Sequence, residues 1–287
     1  MRFEFIDTNR PRFSVARMCD LLSVSRSGYY AWCDRSESRR SRENRRLLAL
    51  IRTIHQESDC SYGSPRVWRE LRFLGETCGE NRVSRLMRQD ELETVYKRRR
   101  RPIGRKAKAE TVAENLLEQD FSAAAPNRSW TADITYIPTG EGWLFLAVVM
   151  DLFSRRIVGW AMDRRATRHL VIDALKMAVK CRRPSGEVIH HSDRGPQYGS
   201  FDFQKELELA GVTCSMSSTG NCYDNAAMES FFGTLKVECI RNQRYQTREQ
   251  ARTDLFEWIE SWYNRKRRHS YLGYVSPVEF EQKVAMT

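Results

Sequence analysis

Three acidic residues stand out by type and setting: Asp133 in "WTADITYI", Asp193 just after "EVIHHS", and Glu229 within "NAAMESFFGTLK". Carboxylates gathered at one place are hard oxygen ligands, suited to Mg²⁺ or Mn²⁺ rather than zinc. Two such ions can activate an attacking oxygen and stabilise the leaving one in in-line phosphoryl transfer. That chemistry asks for carboxylates, because uncompensated ones repel each other and a cation removes the penalty. In a chain with 37 Asp and Glu, spacing by itself is a weak warrant, so the elements that carry the acids matter more.

From Trp130 the pattern is that of strands. "WTADITYI" alternates, "TGEG" turns, "WLFLAVVM" is a near-continuous apolar run and "RIVGWAMD" returns, which predicts a three-stranded antiparallel meander. An amphipathic helix over 168–181, a short strand "EVIHHS", a helix around "SFDFQKELELAG", a strand "VTCSM" and the Glu229 helix follow. The order βββαβαβα fits an α/β mixed sheet with helices on both faces, as in the ribonuclease H-like architecture. Asp133 alternates with Thr131 and Thr135 on one polar row of the first strand. Asp193 falls past the carboxyl end of the fourth, where sites of open α/β sheets form. On a helical wheel Met228, Phe231, Phe232 and Leu235 share one arc, and Asn225, Glu229, Gly233 and Lys236 the next. Asp151 and Asp224 read as structural, the latter as a helix cap, and His190 and His191 as packing or orienting residues.

Upstream of the strands, "FSVARMCDLLSVSRSGYYAW" (13–32) has the spacing of two short helices around a tight turn, with Ser25 capping a second helix that offers Arg26, Ser27 and Tyr30 outward. This is helix-turn-helix spacing, in which the second helix enters the major groove; a plain helical hairpin with a solvated basic face is the alternative. Helices over 43–57, 64–74 and 81–89 make a second small unit, with Arg66, Arg69, Arg72, Arg82, Arg85 and Arg88 expected on its exposed face. "KRRRRPIGRKAK" (97–108) holds eight Lys or Arg, Arg98, Arg99, Arg100 and Arg101 among them, and no acid. Such a run is a linker or arm that neutralises phosphates without reading sequence. The expected organisation is therefore 1–40, a helix-turn-helix; 41–96, a second helical unit; 97–125, a basic linker; 126–245, the strand-bearing core; and 246–287, one long helix with a basic, turn-rich tail.

The bulk numbers agree. The formal net charge of +11 over 287 residues points to a polyanionic partner, nucleic acid first and an anionic membrane surface second. The longest strongly apolar run, 143–150, is far below the roughly 18 residues a membrane span needs, and the N-terminus has no apolar stretch of signal type, so a cytoplasmic protein is expected. Eight cysteines, with no C-x-x-C pair and no zinc-finger spacing, read as reduced and mostly buried thiols.

"WTADITYI", "HSDRGPQY" and "NAAMESFFGTLKVE" resemble the three signatures of the DDE transposases and retroviral integrases, with 35 residues between Asp193 and Glu229 and Lys236 seven after the Glu. The whole chain is similar to the OrfB-type transposases of the insertion sequence three family, through "VSRSGYYAW", "YGSPRVWRELR", "ENLLEQDF", "GWLFLAVVMDLFSRRIVGW", "CYDNAAMESFF" and "YNRKRRHSYLGYVSP". The resemblance implies a divalent-metal enzyme that cuts at an element's ends and joins a freed 3′-hydroxyl to another phosphodiester, without a covalent protein intermediate. It maps Asp133, Asp193 and Glu229 onto the catalytic triad, and places Thr135, Gln197, Asn225 and Lys236 where integrases contact DNA. It also implies double-stranded DNA partners (element ends and target), a homo-oligomer on DNA, and a possible upstream-frame partner or fusion. Integrases carry an N-terminal zinc domain with paired His and Cys; this chain has helical units there instead. Two other functions share these features. A nuclease on the same fold would yield only shortened strands, and a DNA-binding regulator would leave the three acids without a reason.

Overall fold

The computed structural model describes residues 2–96, 123–217, 226–241 and 243–286. Asn225, Arg98, Arg99, Arg100 and Arg101 lie outside the described residues, as do Asp224 and Cys222.

The chain begins with three short helices, α1 (Arg2–Asn9), α2 (Val15–Leu21) and α3 (Arg26–Cys33). The Ser25 hydroxyl caps α3 by accepting a hydrogen bond from the Gly28 N–H at 3.0 Å, as its position before the apolar run predicts. Helix α1 has weak periodicity, because charges flank almost every apolar residue. It forms because Ile6 completes a buried cluster with Met18, Cys19 and Tyr29, and because the Tyr29 hydroxyl donates to Asp7 at 3.1 Å.

Helices α4 (Arg39–Glu57), α5 (Ser64–Phe73) and α6 (Glu80–Gln89) pack around Leu47, Ile51, Val67, Leu71, Val83 and Leu86. The expected arginine face is only partly exposed. Arg82 hydrogen-bonds Asn44 and Glu43 of α4, and Arg66 points toward Glu238 in the C-terminal half, 3.9 Å away. These two guanidiniums meet carboxylates that lie far off in sequence, so a helical wheel cannot place them.

Strands β1 (Ser129–Thr139), β2 (Gly142–Asp151) and β3 (Ile157–Asp163) form the antiparallel meander. They are followed by α7 (Arg168–Arg182), β4 (Val188–Ser192), α8 (Phe201–Leu209), β5 (Val212–Met216) and α9 (Ala226–Leu235). The sheet order is β3-β2-β1-β4-β5, with β4 parallel to β1 and β5 parallel to β4. One face of the sheet is covered by α7 and α8 through Trp130, Val149, Leu175, Ala178 and Phe203. The other is covered by α9 and the C-terminal helix through Ile137, Val148, Phe231, Leu235, Leu255 and Ile259.

Helix α9 runs on through a π-helical stretch, Lys236–Ile240. Helix α10 (Arg248–Glu257), capped by a reciprocal Thr247–Gln250 pair, likewise continues through π-helical turns at Trp258–Tyr263. The tail departs from the expected solvated end. Arg267, Arg268 and His269 are buried, and the chain closes with α11 (Pro277–Ala285), capped by Ser276. The seven described cysteines are free thiols, but among them Cys19 alone is fully buried, while Cys33 and Cys181 are exposed. No described helix is long and apolar enough to cross a membrane.

Candidate active site

Strand β4 pairs with β1 only from Ser129 to Thr131, the last partner of Thr131 being His191. Two residues beyond that last pair come Asp133, still within β1, and Asp193, just past the end of β4. Asp133 shares its side of β1 with Ile137, which packs on Met228, Phe231 and Leu235 of α9. Glu229 stands exposed in the first turn of that helix, beside the buried arc of Met228, Phe231 and Phe232. Sheet end and helix thus bring all three acids to one region.

Their charges interact. Burial pushes the Asp133 carboxyl up to about 7, and the Asp193 and Glu229 carboxylates push the same way, against the Ile134 N–H and the Lys236 ammonium. The Ile134 N–H donates to Asp133 Oδ1 at 2.7 Å. Asp193 lies in the exposed turn after β4, its Oδ1 accepting from the Gly195 N–H at 3.0 Å. Among the described residues no group of three or more His, Cys, Asp or Glu is arranged to hold a metal ion. The acids sense each other across the site without closing on one point.

The remaining candidate residues separate. Lys236 continues the Glu229 stripe, its Nζ 5.6 Å from the centre of the Tyr136 ring. Thr135 is buried. The Gln197 side-chain amide donates to the Ala166 carbonyl at 2.9 Å, which anchors the turn after Asp193 to the start of α7. Arg26, Ser27 and Tyr30 are exposed at the front of α3, well apart in sequence from the acids.

The residues assigned to packing are so placed. Asp151 accepts from the Asn127 and Phe153 N–H groups and pairs with Arg182 at 3.0 Å. His190 packs against Tyr198 and Phe203, and His191 bonds Ser215 and Ser217. Gly195 has no charge to mark it in the sequence; its signal is its place two residues after Asp193. A Cβ there would lie 2.9 Å from Asp193 Oδ1 and 3.1 Å from Gln197 Oε1.

A five-stranded mixed sheet of this order, with acids within β1, just past β4 and on the helix after β5, is the integrase type of ribonuclease H-like core. Family models described as Integrase core domain match residues 123–222 and 229–284, and one described as HTH-like domain matches 42–100. Transposase InsF for insertion sequence IS3A, from Escherichia coli strain K12, is 44% identical over 285 residues, covering 99% of both chains. The insertion element IS600 uncharacterized 31 kDa protein of Shigella sonnei is 44% identical over 266 residues, 93% of this chain and 98% of that one. The chain belongs to the transposases of the insertion sequence three family. Among solved structures, a chain of the simian T-cell lymphotropic virus intasome aligns with a TM-score of 0.48 at 14% identity, covering 80% of this chain and 74% of that one. The catalytic core domain of BIV integrase aligns with a TM-score of 0.43 at 18% identity, covering 56% and 97%.

Proposed function

We propose that Asp133, Asp193 and Glu229 are the catalytic acids of a DNA strand-transfer reaction at insertion-sequence ends, and that together they hold two divalent ions, Mg²⁺ or Mn²⁺. The observation that carries this reading is the half-buried Asp133 carboxyl, pushed up to about 7 by burial and by two neighbouring carboxylates. Oxygen donors that repel each other in this way fit a hard cation, which relieves both the desolvation and the repulsion. When bound, such ions supply activation of the attacking oxygen and charge relief at the leaving one.

The chain's own residues set the geometry. Asp133, within β1, and Asp193, just past the end of β4, are each fixed by a backbone N–H bond, and Glu229 reaches in from the exposed face of α9. Lys236, on the same stripe, holds a phosphate of the bound strand, and Thr135, Gln197 and Asn225 make further DNA contacts. Arg26, Ser27 and Tyr30 approach the major groove, and Arg98, Arg99, Arg100 and Arg101 follow phosphates along an arm. In this reading 1–40 and 41–96 bind DNA, 97–125 links them to the catalytic unit 126–245, and 246–287 is a helix and basic tail that follows it. The protein acts in the bacterial cytoplasm as an oligomer that holds two element ends and a target duplex, alone or joined to an upstream-frame product.

The test is an oligonucleotide assay with labelled terminal-repeat duplex, a target duplex and Mg²⁺. Wild type is expected to cut the end and join its 3′-hydroxyl to the target, and Asp133→Asn to do neither while binding DNA nearly as well. Joining by Asp133→Asn overturns the assignment, and products that are only shortened strands make the protein a nuclease.

A further inference from the structure

A cavity of about 300 Å³ lies beside α9, where three parts of the chain meet: Arg66 from α5, Arg155 from the β2–β3 turn, and Arg267 with His269 from the segment before α11. Ser230 and Thr234, one helical turn apart on α9, line another side. The Glu238 carboxylate is shared by two of these guanidiniums, 2.8 Å from Arg267 and 3.9 Å from Arg66. One carboxylate against two guanidiniums leaves positive charge. Arg155 also lines the cavity, its guanidinium 4.3 Å over the centre of the Tyr271 ring, on a backbone at φ 59, where residues with side chains are uncommon.

His269 lines the same cavity. It is buried, and its Nε2 meets no hydrogen-bond partner among the described residues. Burial holds its pKa well below the usual histidine range, and Arg267, Arg66 and Arg155 press it further down. A neutral ring surrounded by guanidiniums, with one nitrogen unsatisfied, is an arrangement that an anion completes. The anion accepts from the guanidiniums and from Ser230 and Thr234, and its charge favours the protonated ring, in which Nε2 donates. Planar guanidinium forks match phosphate geometry, and Ser230 directly follows Glu229 on α9. We propose that this cavity binds one backbone phosphate of the DNA, through Arg66, Arg155 and His269, separately from the three carboxylates. The proposal rests on the strand-transfer reading only in taking that phosphate from DNA that passes Glu229. Because Arg66 belongs to α5, the same contact ties the second helical unit to DNA held at the core.

The experiment measures binding of the full chain to a fluorescein-labelled terminal-repeat duplex by anisotropy, without divalent metal, over a range of salt concentrations. Wild type, Arg155→Gly and Arg155→Lys are compared; glycine suits the left-handed backbone, and thermal melting checks that the fold is kept. Loss of one phosphate contact is expected to reduce the magnitude of the slope of log K against log salt by about 1, and lysine to restore it. Equal slopes for wild type and Arg155→Gly overturn the proposal. A second measurement needs no altered protein beyond assignment: nitrogen NMR of the histidine rings, with His269 identified by its loss in His269→Gln. Saturating duplex should move the His269 ring toward its protonated signature, and an unmoved ring overturns the site. A ring that moves with inorganic phosphate but not with DNA identifies a free-phosphate pocket and also overturns it. Asp133→Asn should keep the wild-type slope, so failure of the strand-transfer reading would show in joining while the slope result stood on its own.

Discussion

Arg267 and Glu238 form a two-pronged ion pair inside the protein: Nε and Nη2 of the guanidinium each donate to a different carboxylate oxygen, both at 2.8 Å. Their side chains are only 5% and 2% exposed. Tyr96 and Trp262 donate to the same carboxylate, so Glu238 joins the end of the second helical unit to the π-helical stretch after α9 and to the C-terminal segment. Removing one partner of such a pair strands the other charge in a poorly solvated place. Glu238→Gln is therefore expected to cost about 3–5 kcal/mol of stability, measured by urea unfolding. Burial alone would raise the Glu238 pKa; its hydrogen bonds and pairing with Arg267, helped by Tyr96 and Arg66, hold it below the usual value. A lowered folded pKa means that this stability is present above the unfolded value and is lost as pH falls through the folded one. The acid-side loss should accordingly be shallower in the glutamine variant.

His190 titrates in a higher window. Burial, and to a smaller extent the neighbouring His191, lowers its pKa from 6.5 to about 4, so the unfolded chain takes up the proton first. Stability is then lost as pH falls from 6.5 toward 4, by about 2 kcal/mol at pH 5. His190→Leu fills the space against Tyr198 and Phe203 and should remove this step. Urea unfolding of both proteins at pH 7 and pH 5 checks it; an equal pH 7 to pH 5 loss in the two would assign the step elsewhere.

What the sequence makes legible and what it hides divide along the range of the interactions. The meander shows because alternation is a local signal, and Asp133 shows because it puts a charge on the polar row of that strand, between Thr131 and Thr135. Glu229 shows through the helical wheel, since its neighbours three and four residues away decide its face. Arg267 and Arg268 do not show as core residues. "RKRRH" looks solvated until Glu238, 29 residues back, and Glu70, 198 residues back, are brought to it by folding. Arg66 and Arg82 are misplaced on the arginine face for the same reason. Helix α1 is missed because its only fully buried residue, Ile6, packs against partners from α2 and α3 rather than along its own periodic stripe.

Contact between β3 and α7 depends on Gly159. A Cβ there would lie 2.2 Å from the Ala174 carbonyl oxygen and 2.7 Å from the Ala178 nitrogen, both backbone atoms of a buried helix face. Neither can turn aside as a flexible side chain would, so α7 must shift away from the sheet. Gly159→Ala is expected to destabilise the protein by about 1–3 kcal/mol, read as a lowered urea midpoint with an unchanged slope. A wild-type midpoint would mean that the helix and strand are not packed this closely.

Gly195 tests the site rather than the core. Its hypothetical Cβ would lie 2.9 Å from Asp193 Oδ1 and 3.1 Å from Gln197 Oε1, so Gly195→Ala forces those two side chains to move while leaving every charge in place. The turn is near the surface and Asp193 is exposed, so the fold should lose little. With Asp193 as the catalytic acid proposed above, the reaction should lose much more, because such a group displaced by a fraction of an ångström no longer meets the reacting atoms. A fall of roughly tenfold to a hundredfold in end cleavage and joining is expected, with melting temperature and DNA affinity close to wild type. A parallel series in Mn²⁺ sharpens the result: the softer coordination demands of that ion should recover part of the lost rate if Asp193 is a displaced ligand. An unchanged rate in Mg²⁺ would mean that the position of Asp193 is not set by this turn.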